Sequence, residues 1–298
     1  MKYLMMVTFL LLSSCNILSD STSIADTPTP EVYISLTQAI PSQEVSPTIT
    51  SESPTIQPTA EKGMETTYGV LSLVIPPSIA DGASGSEFPS VDSDDAAYWQ
   101  KTPGHLQVML GEYYLLKGKS LEPQIYVFPA QEYAELVPSA FENIHRLNNI
   151  LENAAVSINA DQLPTVPFFN AQQVFASNVQ PISFQNGKGI RFLSEYAQYP
   201  APANNNDLFY QFQGLTNDGA YYIVAIFPTE APGLADNSEL AVSNPIEGIS
   251  FPQMGDPQIS WTLYYDAVTS LLNGTPSDGF TPALSQLDLL IQSMQINP

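Results

Sequence analysis

Between residues 187 and 228 the apolar and polar positions follow the pattern of a β-meander, GKGIRFLSEYAQYPAPANNNDLFYQFQGLTNDGAYYIVAIFP. Three β-rich runs, 189–198, 207–216 and 220–227, are separated by a Pro/Asn loop and by Asn217-Asp218-Gly219, a hairpin-turn signal. A two-residue turn at Asp218-Gly219 sets Phe212 opposite Ala225 and Tyr210 opposite Phe227. One face then carries Tyr210, Phe212, Ile223 and Phe227, which is a core face. The other carries Gln211, Gln213, Tyr222, Val224 and Ile226. Two readings compete for this mixed face. Gln211, Gln213 and Tyr222 offer amides and an aromatic ring to a glycan or peptide, whereas Val224 and Ile226 call for burial under helices.

The rest of the chain reads in order around this centre. Residues 68–75 (YGVLSLVI) predict a strand stopped by Pro76-Pro77, and the Ser/Gly/Ala-rich stretch to Val91 predicts a loop. Segments 105–110 and 124–128 predict two short strands. Over 138–152, Phe141, Ile144, Leu147 and Leu151 recur at helical spacing and predict one apolar helix face. Residues 168–184 fit helix and strand equally. Asp256-Pro257 opens a helix with Ile259, Tyr264, Val268, Leu271 and Leu272 inward and Gly274 as its stop. A last helix follows Thr281-Pro282 and buries Leu284, Leu287, Ile291 and Met294. Strands first and two helices last predict an α+β domain with an antiparallel sheet packed against helices.

Composition divides the 298 residues into three parts. Residues 1–14 carry Lys2, an apolar run to Leu12 and then small residues, the order of a secretory signal; a membrane span needs roughly 20 apolar residues. Residues 15–65 are Ser, Thr and Pro with scattered acids and cannot bury enough apolar surface to fold. As an extended spacer this tether of ~50 residues reaches about 150 Å, and as a coil roughly 40 Å. Residues 66–298 form the single globular unit, large enough to bury a core without disulfides. With 30 acidic against 8 basic residues the net charge is −22, and no Lys/Arg cluster is present. Nucleic acid and anionic lipid surfaces are therefore not expected as partners.

Little catalytic chemistry is written in the chain. No G-x-S-x-G turn or S-x-x-K pair occurs, and neither His105 nor His145 has a His or Cys at metal-ligand spacing. No catalytic residue, resident metal or cofactor is expected. Glu195, Asp266, Glu112 and Glu247 are candidates for a glycosidase-like pair only because any two acids can meet in space. Asp92, Asp94 and Asp95 have oxygen-rich calcium-loop spacing but lack the glycine and distal glutamate of an EF-hand, so capping of a short helix over 96–99 is the competing reading. Tyr98 and Trp99 beside these acids are a second candidate recognition surface, with core packing of Trp99 as its alternative.

Leu12-Ser13-Ser14-Cys15 resembles the lipobox of bacterial lipoproteins, which implies that Cys15, the chain's one cysteine, becomes a lipid-modified (palmitate-bearing) N-terminus. Two or more acyl chains anchor stably where one is marginal. Residues 172–175 (QQVF), 187–191, 209–219, Phe280-Thr281-Pro282 and Leu287-Asp288 together resemble a family of exported bacterial lipoproteins without assigned function. More distantly, a strand running into Pro-Pro, a central antiparallel sheet and a closing helix are similar to the Mog1/PsbP-like α/β/α sandwich, which implies a binding or assembly role by analogy. The expectation is therefore a lipid-anchored, non-catalytic binding or assembly protein of the cell envelope, held to the membrane through Cys15, with an envelope protein or glycan as partner. An envelope glycan hydrolase using paired carboxylates and a passive structural component are the alternatives.

Overall fold

The computed structural model describes residues 63–114, 117–153, 158 and 160–297. The export signal, Cys15 and the tether up to residue 62 lie outside the described residues. In chain order the strands are β1 Met64–Tyr68, β2 Leu71–Ile75, β3 Gly82–Phe88, β4 His105–Gly111, β5 Gln124–Pro129, β6 Gln172–Gln173, β7 Ser177–Phe184, β8 Gly187–Ser194, β9 Tyr196–Ala197, β10 Phe209–Thr216, β11 Tyr221–Pro228 and β12 Gln295–Ile296. The helices are α1 Ala130–Leu136, α2 Pro138–Glu152, α3 Ser238–Ser243, α4 Gln258–Gly274 and α5 Leu284–Ser293. Among the described residues no helix is long and apolar enough to cross a membrane.

The fold is α+β. A seven-stranded antiparallel sheet, in the order β3-β4-β5-β11-β10-β8-β7, has helices on both faces. One face buries Tyr210, Phe212, Ile223 and Phe227 against α4, α5 and a small sheet of β1, β2 and β12. The other buries Phe209, Tyr222, Val224 and Ile226 against α1, α2 and the segment around Leu163 and Val166. The meander register is the one its turn dictates, Tyr210 facing Phe227 and Phe212 facing Ala225. Its first run is shorter than the pattern predicts: β8 ends at Ser194, and Tyr196-Ala197 pair with β6 instead.

Other elements depart from the sequence pattern for local reasons. The apolar run 68–75 is broken by a turn at Gly69, whose φ of +49° glycine tolerates, so β1 doubles back on β2. The expected loop before Val91 contains β3, an exposed edge strand of small residues paired with β4 through main-chain bonds that need no apolar side chain. At the opposite edge, β7 carries a bulge between Ser177 and Gln180 and an exposed Pro181, features that discourage further pairing. On α2 the buried stripe is Ala140, Asn143, Leu147 and Ile150, and Phe141 is exposed. Asn143 is drawn inward because its Oδ1 accepts the Thr165 N–H at 2.8 Å, tying α2 to the following segment. On α4, Tyr264, Val268 and Leu272 are buried but Ile259 is exposed.

Candidate functional site

The mixed face of the meander is not a surface. Gln211, Gln213 and Tyr222 are each 0% exposed, lying beneath α1, α2 and the segment around Pro164. Both amides donate to the Pro164 carbonyl, at 3.2 and 3.1 Å, and the Tyr222 hydroxyl donates to Gln213 Oε1. Burial raises the Tyr222 pKa well above the usual phenol range, with Tyr133 and Tyr196 adding to it. These residues bind the covering layer, not a ligand. The physical reason is the one that Val224 and Ile226 announced: polar side chains sharing a face with them are buried with it, and each then needs an internal partner.

Aromatic and amide groups do reach solvent on one side of the covering layer, around residues 168–175. Three grooves adjoin there. The largest, about 470 Å³, is bordered by Tyr98, Arg146, Asp161, Phe169 and Gln173. It shares Gln172, Gln173 and Val174 with a groove of about 210 Å³ flanked by Gln198, Tyr199 and Tyr265. It shares Phe169 and Ala171 with a third of about 280 Å³, where Phe168, Phe169, Tyr196 and Phe209 meet Asp207. The β6–β9 ribbon sets this arrangement. Gln172 pairs with Ala197 and Gln173 with Tyr196, and the Val174 N–H donates to the Glu195 carbonyl at 2.9 Å. Tyr98 and Tyr199 are 57% and 71% exposed, and Tyr98 meets Trp99 edge-on at 4.9 Å.

Two acids stand behind the ribbon. Glu195, between β8 and β9, is 1% exposed; its Oε1 accepts the Asn204 N–H at 2.7 Å, and its Oε2 has no hydrogen-bond partner. Burial pushes its pKa well above the usual carboxylate range, the Asn204 hydrogen bond opposes the shift, and the nearby Asp207 charge adds to it. Asp207 is held by the loop of Asn204, Asn205 and Asn206. Its Oδ2 accepts from Asn204 Nδ2 at 2.8 Å, and its Oδ1 accepts from Asn206 Nδ2 at 3.1 Å and from the Ser120 hydroxyl. The Pro/Asn spacing marked a loop, but that Asn204 bonds both Glu195 and Asp207, and that Ser120 reaches Asp207, depends on the tertiary fold.

The remaining candidates are dispersed. Glu112 and Glu247 are exposed at positive φ, 49° in each, and Asp266 is exposed on α4. Asp92 pairs with Lys101 at 3.3 Å, and the short helical turn 98–100 is opened by Ala97 and Gln100 with no acid in it. Among the described residues no group of three or more His, Cys, Asp or Glu side chains is placed to hold a metal ion. His105 packs between Phe88 and Phe128, at 5.6 and 4.7 Å, and burial lowers its pKa against the raising effect of the Pro103 carbonyl. His145 lies exposed on α2 beside Phe141 and Asn149. Comparison of the chain with family models, with curated proteins and with solved structures returned no match.

Proposed function

We propose that this chain is a lipid-anchored, exported binding or assembly protein of the bacterial cell envelope, acting without catalysis, and that the grooves around residues 168–175 receive its partner. One observation carries the reading: exposed Tyr98 and Tyr199, with Gln172, Gln173 and Gln198, line contiguous concave surface on one side of the domain. Concave sites with apolar walls and a few polar groups are where ligands are held. The leader and Leu12-Ser13-Ser14-Cys15 support the address, and the Ser/Thr/Pro-rich tether supports a domain displayed away from its anchor. Helices on both faces of an antiparallel sheet support the resemblance to the Mog1/PsbP-like sandwich. The electrostatic proximity of Asp207 to Glu195 is what a hydrolase reading would draw on, but a Glu195 carboxyl only 1% exposed does not meet a substrate lying in a groove.

The test is a crosslinking pull-down from detergent-solubilised envelope with the full-length chain as bait. One envelope protein or polymer should be captured, and a Tyr98→Ala/Tyr199→Ala double variant with an unchanged melt should lose it. Capture that survives both substitutions places the partner elsewhere, and capture of nothing favours the passive structural alternative. For the address, Cys15→Ser should move the protein to the soluble fraction. Continued detergent dependence of that variant would sink the anchor.

A further inference from the structure

The 280 Å³ groove differs from its neighbours in its lining. Phe168, Phe169 and Tyr196 supply half-buried aromatic walls, Phe209, 1% exposed, backs them, and Asp207 is its ionisable carboxylate. Phe169 stands at 89° to Phe168, 83° to Tyr196 and 70° to Phe209, with centroids 5.5, 5.2 and 6.2 Å away. The walls therefore turn through corners instead of forming one flat stack. Aromatic faces carry a negative quadrupole and attract a cation within about 6 Å.

The charge on Asp207 is not neutralised. Its oxygens accept from Ser120, Asn204 and Asn206, all uncharged donors, and among the described residues no Lys or Arg is seen in an ion pair with it. Lys119, next to Ser120 in the chain, has a side chain 2% exposed and committed to Glu230 at 3.0 Å and to the Asn205 carbonyl at 2.6 Å. Glu122 adds a further acid nearby, close enough to contribute to the raised pKa of Tyr126, whose ring lies 4.6 Å from Phe168. A chain of net charge −22 draws cations toward this rim from solution.

The same hydrogen bonds select the kind of cation. A primary ammonium brings three N–H donors that need acceptors on leaving water. Asp207 already accepts three of the roughly four bonds a carboxylate can take, and the Tyr196 hydroxyl is engaged by the Val166 N–H and by Gln173, so few acceptors are left for three N–H donors. A quaternary ammonium has no N–H to satisfy and is held by ring faces and a nearby charge alone. We infer that the groove formed by Phe168, Phe169, Tyr196 and Phe209 binds a quaternary ammonium group, with Asp207 as its counter-charge. This deepens the binding reading above and rests on it.

Full-length protein in a choline-free non-ionic detergent is titrated calorimetrically with choline, tetramethylammonium and 3,3-dimethylbutan-1-ol, the uncharged carbon isostere of choline. Both cations should saturate, and choline should bind at least about tenfold more tightly than the isostere. Phe169→Leu, which keeps bulk but removes the π face, and Asp207→Asn should each weaken choline about tenfold while still unfolding cooperatively. Phe141→Ser on the exposed side of α2 should not. Equal binding of choline and isostere, or no saturable binding of either cation by the folded wild type, overturns the site. That comparison holds even if a variant misfolds. With the Cys15→Ser full-length protein in detergent-free buffer, retention on phosphatidylcholine vesicles that free choline displaces identifies a lipid headgroup as the source; choline binding without retention identifies a soluble or polymer-borne ammonium. Capture of an envelope partner with no choline binding overturns this inference and leaves the wider reading standing.

Discussion

Glu195 shows how much one side chain's meaning depends on its surroundings. In the sequence it is one acid among 30; in the fold it is a buried carboxyl with one oxygen committed to the Asn204 N–H and the other unpartnered. Burial, assisted by Asp207, raises its pKa, so the folded chain holds the proton more tightly than the unfolded chain. Its contribution to stability is then fully present below the ordinary value of 4.5 and is lost as pH rises toward the folded value. Glu195→Gln keeps an acceptor for Asn204 and cannot ionise. In parallel thermal melts from about pH 5 to about pH 8 the variant should gain on the wild type as pH rises; a constant difference between the two would show that Glu195 titrates normally. The Arg191–Asp288 pair was equally hidden. Its partners, at 3.2 Å and 4% and 14% exposed, are far apart in sequence, and only the docking of α5 on the sheet joins them, with the Tyr210 hydroxyl donating to Asp288 at 2.9 Å.

Among elements, the β8–β10 pair leaves no room for a side chain at its paired glycines. Gly189 lies opposite Gly214, and a Cβ at either position would come within 2.6 Å of Phe212 Cζ. The Phe212 ring occupies the space that two side chains would need, and it is fully buried there. Gly189→Ala or Gly214→Ala should overpack this contact and cost about 1–3 kcal/mol. Denaturant titration would show it as a lower midpoint at unchanged slope; an unchanged midpoint would mean that Phe212 can move aside. Strand 207–216, strand 220–227 and the final helix were legible because their apolar periodicity coincides with a buried face. Strand β3 was not, since an edge strand held by main-chain bonds leaves no apolar period, and the α2 stripe was misplaced because Asn143 turns inward to bind Thr165. The candidate binding face failed for a related reason. Gln211 and Gln213 look like surface residues until Pro164, 47 and 49 residues away, supplies their acceptor.

For the whole molecule, a net charge of −22 means that folding gathers like charges. The acids are spread along the chain, so the repulsion is general and screened by salt over a Debye length that falls from about 30 Å at 0.01 M to about 10 Å at 0.1 M. The melting temperature should therefore rise with sodium chloride across that range. No change would mean that the acids are spaced widely enough for repulsion to be negligible.

Periodicity and turn chemistry, which act between residues close in the chain, determined the meander, its register, the α+β class and the last helix, all before any tertiary contact was considered. Composition determined the lopsided charge, and the leader with its Leu12-Ser13-Ser14-Cys15 pattern set the expectation of export and anchoring. The tertiary structure alone decided that both faces of the sheet are covered, that Asn204 bonds both Glu195 and Asp207, and that Phe168, Phe169, Tyr196 and Phe209 line one groove. Each of these depends on burial and on contacts between distant segments. Whether a glutamine is a ligand's donor or a core amide, and whether an aromatic ring is core or wall, is set by what packs over it, and no local pattern carries that information.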